Sequence, residues 1–177
     1  MRGPVIAEML QAKGLRVARR TAGEPITRDI DVYLADTFGE LGLFFRLAGI
    51  AFIGGSLVGK GGHNPFEAAR LDCAVLHGPD MANCAAMAEA LAAAGASDIV
   101  RDAEALGLAV IRLLSEPRLR NARAAAAQRV SAAVSGALDA VLDRLAPWLD
   151  PLMPASAVEL PAPEPRRVAF GHADARP

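Results

Sequence analysis

The residues best suited to chemistry lie at 54–67, GGSLVGKGGHNPFE, where glycines at 54, 55, 59, 61 and 62 surround one lysine, one histidine and one acid. A stretch so poor in side chains lets backbone N–H groups come close to a ligand, and such loops receive phosphate or sugar oxygens. The run from Gly54 to Gly61 fits G-x-x-x-x-G-K, but Gly61 stands where a P-loop needs the hydroxyl that holds Mg²⁺. The helix of a P-loop also begins at the lysine. Here Gly61 and Gly62 follow Lys60, and the helix signal arrives only at Asn64-Pro65. An ATPase loop is therefore not expected, and neither is a metal site.

Asn64-Pro65-Phe66-Glu67 places a capping asparagine, a proline at the first helical position and an acid at the third. Thr37-Phe38-Gly39-Glu40 has the same form, with Thr37 as cap and Glu40 reaching back. Capping alone accounts for both glutamates, at about 0.5–2 kcal/mol each. The functional alternative is that two helix N-termini, each behind a strand, face one cleft and bind a phosphate between them. A glutamate placed there can also accept from ribose hydroxyls. Spacing weighs the two evenly. Gly39 tips the balance, because capping does not call for it and glycine early in a helix costs about 1 kcal/mol relative to alanine. It hints at something close to the backbone. His63 is a candidate acid, base or ligand, although a lone histidine before a helix is more often structural. Lys60 is either solvated or a phosphate contact, and His77 and His172 carry no partner motif.

The elements that must position these residues alternate. Helical spacing covers 4–13 and stops at Gly14, strands are expected at 15–19 and 31–35, a helix at 38–48 and an apolar strand at 50–53. After the glycine loop come a helix at 65–71, a strand at 74–76, a helix at 81–94 closed by Gly95, a strand at 98–100 and a helix at 103–114. Beyond Pro117, one long Ala- and Arg-rich helix covers 118–145, with Gly136 a candidate kink. The rhythm and the continuous apolar strands predict an α/β fold: a Rossmann-like parallel sheet with helices on both faces. In such sheets ligands bind outside the carboxyl ends of the strands. Residues 1–150 are expected to form one domain. The five prolines between Pro151 and Pro165 mark 151–177 as a Pro-rich, disordered tail.

Bulk properties narrow the function classes. The 177 residues carry 19 basic and 20 acidic side chains, so no basic excess points to nucleic acid. Aromatics at 5% make a single-strand-binding platform implausible. Cys73 and Cys84 form no metal or redox motif and read as small buried hydrophobes. Nothing demands an oxidising compartment, and residues 1–20 lack the apolar core of a secretory leader, so the cytoplasm is the expectation. The apolar run 41–58 does not read as a membrane span. Arg46 interrupts it, at about 2.5–3.5 kcal/mol on insertion scales, and Gly49, Gly54 and Gly55 cut it into a buried helix and a buried strand.

Four runs occur in one order: ADTFGEL at 35–41, AFIGGSLV at 51–58, GGHNPFEA at 61–68 and VLHGP at 75–79. Together, over roughly residues 3–149, they resemble the carboxyl half of the 3-deoxy-D-manno-octulosonic acid (Kdo) transferases, which attach Kdo from CMP-Kdo to lipid A during lipopolysaccharide synthesis. The resemblance implies one half of a two-domain GT-B glycosyltransferase, the half that binds the nucleotide-sugar donor. It implies that Phe38, Gly39, Glu40, Asn64, Pro65, Phe66 and Glu67 contact CMP. It also places Gly54, Gly55 and Ser56, with Gly61, Gly62 and His63, close to the phosphate or sugar. Phe38 stands where the family usually has methionine.

No cofactor is implied, and no catalytic residue in this chain. The family's acceptor-binding amino-terminal domain, its membrane-anchoring segment, its glutamate general base and a Pro-Arg pair would all precede Met1. Lipid A precursor and peripheral membrane contact at the cytoplasmic face of the inner membrane would come through that domain. This chain alone is expected to bind nucleotide weakly and to catalyse little. Two rivals remain: another GT-B nucleotide-sugar enzyme, such as a UDP-sugar transferase or epimerase, and a non-catalytic nucleotide-binding remnant.

Overall fold

The computed structural model describes residues 2–152, with only the backbone described for 135–140 and 152. All but the first two residues of the tail expected at 151–177 lie outside the described residues. The described chain divides into one compact unit up to Gly136 and a second from Ala137.

The first unit begins with helix α1 (Gly3–Gln11), which stops where Gly14 turns left-handed at φ +82°. Strands β1 (Val17–Arg19) and β2 (Val32–Leu34) follow, then α2 (Leu41–Leu47) and β3 (Ile50–Ile53). After the glycine loop come α3 (Phe66–Ala69), β4 (Ala74–His77), a 3-10 turn at Ala82–Cys84, α4 (Ala85–Ala93), β5 (Ser97–Ile99) and α5 (Ala103–Ser115). Asp102 caps α5, its Oδ1 accepting from Ala105 N at 2.7 Å. Helix α6 (Pro117–Leu149) is the long Ala- and Arg-rich element. The second unit is described to residue 152 and comprises the end of α6 and a 3-10 turn at Asp150–Leu152.

All paired strands run parallel, as predicted, but they form two sheets rather than one. β1 pairs with β2, and β3, β4 and β5 pair in that order. β1 and β2 are three residues each and β2 is only half-buried, so they offer a short ladder and little apolar surface. The three-stranded sheet carries the core. β4 is buried at every position, and Phe66, Leu76, Leu91 and Val75 are among the most enclosed side chains. Its register pairs Ile53 with His77 and His77 with Ile99, so β3, β4 and β5 end together and release their loops at one edge.

Residues 41–58 are a helix and a strand, and no helix among the described residues is long and apolar enough to cross a membrane. The helix is not buried, however. Leu41, Leu43 and Leu47 of α2 face outward, while Phe45 packs on the core and Phe44 lies 6.1 Å from the Tyr33 ring. Seven residues make about two turns, so a helix on the surface has room to bury one face only.

Candidate functional site

The glycine loop leaves β3 at Ile53 and is shaped mainly by the segment that leaves β4. Gly55, Gly59, Gly61 and Gly62 all have positive φ, which side chains with a β-carbon adopt at a cost. A β-carbon on Gly61 would come within 2.6 Å of the Asn83 side chain, and one on Gly62 would overlap the Met81 sulfur. The loop is then tied down. Gly61 N donates to Asp80 Oδ2 at 2.8 Å, and Asn83 Nδ2 donates to the carbonyls of Lys60 at 2.9 Å and Gly62 at 3.2 Å. Asp80 and Asn83 were not singled out from the sequence. The signal was the Asp and Asn of PDMAN, turn formers just after a strand.

Ser56 is wholly buried. Its hydroxyl donates to the Ile53 carbonyl at 2.5 Å and accepts from Gly78 N at 2.7 Å, joining the ends of β3 and β4. The serine expected near a phosphate or sugar is spent on the backbone. His63 is exposed beside Gly54, and Lys60 is exposed near the tip. His77 is buried, with Nδ1 donating to the Gly78 carbonyl at 2.8 Å and Nε2 paired with Ser97 Oγ at 3.2 Å, a structural arrangement.

At the second helix start, Asn64 Oδ1 accepts from Phe66 N at 2.9 Å across two residues, but Pro65 holds the N-cap position and Glu67 does not reach back, so the expected capping box is not formed. Pro65 and Phe66 are fully enclosed, backbone included, so neither presents an open surface. Glu67 is exposed, and its carboxylate accepts no hydrogen bond and forms no ion pair among the described residues.

The first helix start differs from expectation. α2 begins at Leu41, so Phe38 and Gly39 are a turn outside the helix. Gly39 has φ +82°, and a β-carbon there would meet nothing within 4 Å. Backbone conformation explains this glycine, with no close approach required. Glu40 makes no backbone cap. Its carboxylate takes Arg20 Nη2 at 2.6 Å and Nε at 3.2 Å, and also the Thr37 hydroxyl. Those bonds, Arg20 first, hold Glu40 down to about 2. One step back, Asp36 accepts from Arg19 at 2.8 and 3.1 Å and from Thr21 N at 2.9 Å. The Thr21 backbone bond and then Arg19 hold its carboxyl far below the usual range. Phe38, at the apex, is 99% exposed.

Helices α2 and α3 share a groove of about 260 Å³, lined by Gly42 and Phe45 of α2 and by Glu67, Arg70 and Leu71; of the residues expected to contact the nucleotide, Glu67 alone is in that lining. Helices of seven and four residues bring little macrodipole to it, so side-chain chemistry at Glu67 and Arg70 outweighs the helix ends. A larger hollow of about 410 Å³ lies at the ends of β4 and β5, between Asp80, Met81, Glu89 and Ile99.

No family model matches the chain. It is 41% identical over 145 residues to the 3-deoxy-D-manno-octulosonic acid transferase of Bordetella pertussis, covering 81% of this chain and 34% of that protein. Against the transferase of Haemophilus influenzae the identity is 34% over 147 residues, covering 82% and 34%. The fold is similar to the crystal structure of the C-terminal CMP-Kdo binding domain of WaaA from Acinetobacter baumannii, with a TM-score of 0.70 and 32% identity over 73% of this chain and 67% of that one. The chain belongs to the Kdo transferase family.

It spans about a third of the length of the curated Kdo transferases it matches. Its groove is smaller than the roughly 300–1,000 Å³ of complete small-molecule sites. Within this Kdo transferase domain, Glu40 immediately precedes α2 and Glu67 lies in the first turn of α3, and the two helices pack together. Glu40 is paired and Glu67 is open. The residues that sequence reasoning missed here are Arg20 and Asp36, whose acid–base partners lie too far along the chain for any local pattern to reveal.

Proposed function

We propose that this chain is the donor-binding domain of an enzyme that moves Kdo from CMP-Kdo to a lipid A precursor in lipopolysaccharide biosynthesis. The observation that carries the reading is Glu67. It is an open carboxylate on a groove shared by α2 and α3, in a chain whose relatives are Kdo transferases. Ribose hydroxyls are donors in search of such an acceptor. Glu40 and the backbone of the 38–40 turn flank the nucleotide, and the exposed part of the glycine loop at His63 lies toward the phosphate and sugar. The side chains of Ser56, Pro65 and Phe66 shape the site from beneath.

In the parent reaction an acceptor hydroxyl attacks the anomeric carbon of Kdo, the bond to the CMP phosphate oxygen breaks, and the hydroxyl proton passes to a base. That base belongs to an acceptor-binding domain outside this chain, as does contact with the cytoplasmic face of the inner membrane. The present domain holds the leaving CMP. Alone, it binds nucleotide and turns over little.

Calorimetric titration with CMP tests this. Glu67→Ala should weaken binding by at least about tenfold, as expected for losing hydrogen bonds to a charged acceptor at about 1.5–3 kcal/mol each. Equal affinity in the two proteins removes the ribose role. Tighter binding of UDP than of CMP moves the chain to a UDP-sugar enzyme.

A further inference from the structure

The geometry points to Arg20 as a positioning residue of the donor site, acting through Glu40. The inference rests on the donor-binding reading above and on three structural observations. Arg20 grips Glu40 with a fork, Nη2 to Oε1 at 2.6 Å and Nε to Oε2 at 3.2 Å. The Thr37 hydroxyl donates to the same Oε2 from the other end of the turn. Between them the turn has no packing of its own, since Phe38 is 99% exposed and Gly39 has nothing within 4 Å of its β-position. The clamp at Glu40 is what gives residues 37–40 a fixed shape.

The fork also settles what Glu40 can still offer. A carboxylate has about four acceptor positions. Arg20 uses two and Thr37 one, which leaves a single position on Oε1 for a hydroxyl or amino group of the nucleotide. The guanidinium keeps Glu40 ionised, and so able to accept at that position, well below the ordinary glutamate range. Arg20 is itself anchored, its N donating to the Leu34 carbonyl at 3.0 Å at the end of β2 and its side chain meeting Tyr33. The neighbouring cation, Arg19, is committed to Asp36. Arg20 is thus the charged group that faces Glu40.

The test is CMP titration of the full 177-residue chain at pH 7 and pH 4, with circular dichroism confirming the fold. Arg20→Gln should bind CMP about tenfold more weakly than wild type at pH 7, the scale of one lost charge-assisted contact. The wild-type to variant ratio should widen about threefold further at pH 4, because a Glu40 released from Arg20 returns to the ordinary glutamate value near 4.3. Titration of CMP itself cancels in that ratio. A merely structural role would lower the melting temperature without this pH signature.

In a Glu40→Gln background, Arg20→Gln should change affinity no further. Arg20→Lys keeps the charge without the fork, falls between the two at about threefold, and carries the test if the glutamine variant does not fold. Wild-type affinity in both Arg20 variants, with Glu67→Ala still weakened, overturns this inference alone. Absence of CMP binding by the wild-type chain overturns it together with the donor reading.

Discussion

Ser56→Ala separates the two roles that a serine in a glycine-rich loop can have. The side chain is 0% exposed, and its hydroxyl makes two bonds, to the Ile53 carbonyl at 2.5 Å and from Gly78 N at 2.7 Å. Alanine removes both and leaves the Gly78 N–H buried without a partner. An orphaned buried donor costs about 1–3 kcal/mol, and the lost bond to Ile53 adds a further 0.5–1 kcal/mol or so. Backbone cannot shift to compensate, because a β-carbon on Gly78 would already overlap the Ser56 carbonyl, and Asp80 N holds that same oxygen at 3.1 Å.

The expected destabilisation is about 2–3 kcal/mol, which for a chain of this length lowers Tm by about 4–12 °C. Thermal melts and urea titrations measure it directly. CMP affinity at 10 °C, where the variant is folded, should stay within about twofold of wild type, since a hydroxyl enclosed by backbone touches no ligand. The reasoning fails if stability is within about 0.5 kcal/mol of wild type. It also fails if affinity drops tenfold or more in a protein that melts normally, which would put the hydroxyl on the donor.

Two glycines give a matched contrast. Gly39→Ala meets open space and bears only the cost of φ +82°, about 1–2 kcal/mol, whereas Gly62→Ala adds overlap with Met81 to φ +64° and should cost about 1–3 kcal/mol more in urea denaturation. Acid sensitivity follows from the carboxylates around β1 and β2. Glu40 and Asp31 are held at about 2 and Asp36 lower still, so their folded values lie below their unfolded ones. Their contribution is complete above about pH 5 and is lost as pH falls through about 4 toward 2. Tm should therefore decline over that window, and decline less steeply in Asp36→Asn, while high salt should weaken the shares of Arg16–Asp31 and Arg20–Glu40 more than that of the less exposed Arg19–Asp36 pair.

Much of the fold was legible in the sequence because its signals are local. Gly14 and Gly95 end α1 and α4 as expected, both with positive φ. Asn64-Pro65 opens α3 through a bond spanning two residues. The apolar runs at 50–53 and 74–76 became the central parallel strands, the second extended by His77. Where the reading of local pattern failed, a longer-range contact had won. Thr37-Phe38-Gly39-Glu40 looks like a capping box, yet Glu40 reaches Arg20, 20 positions away, instead of its own helix. The gain from a charge-assisted fork exceeds that of a backbone cap.

By itself, the sequence determined the order of elements, the parallel pairing and the family. Periodicity, glycines and proline act within a few residues, and the family runs are read directly. Only the tertiary structure decided which of those residues remain available. Ser56 meets Gly78 across 22 positions and Gly61 meets Asp80 across 19, so both are spent on holding the loop. Glu67 meets no such partner among the described residues and stays open on the groove. Whether a polar atom is satisfied depends on what folding brings beside it, and that separates the residues that build this site from those free to bind.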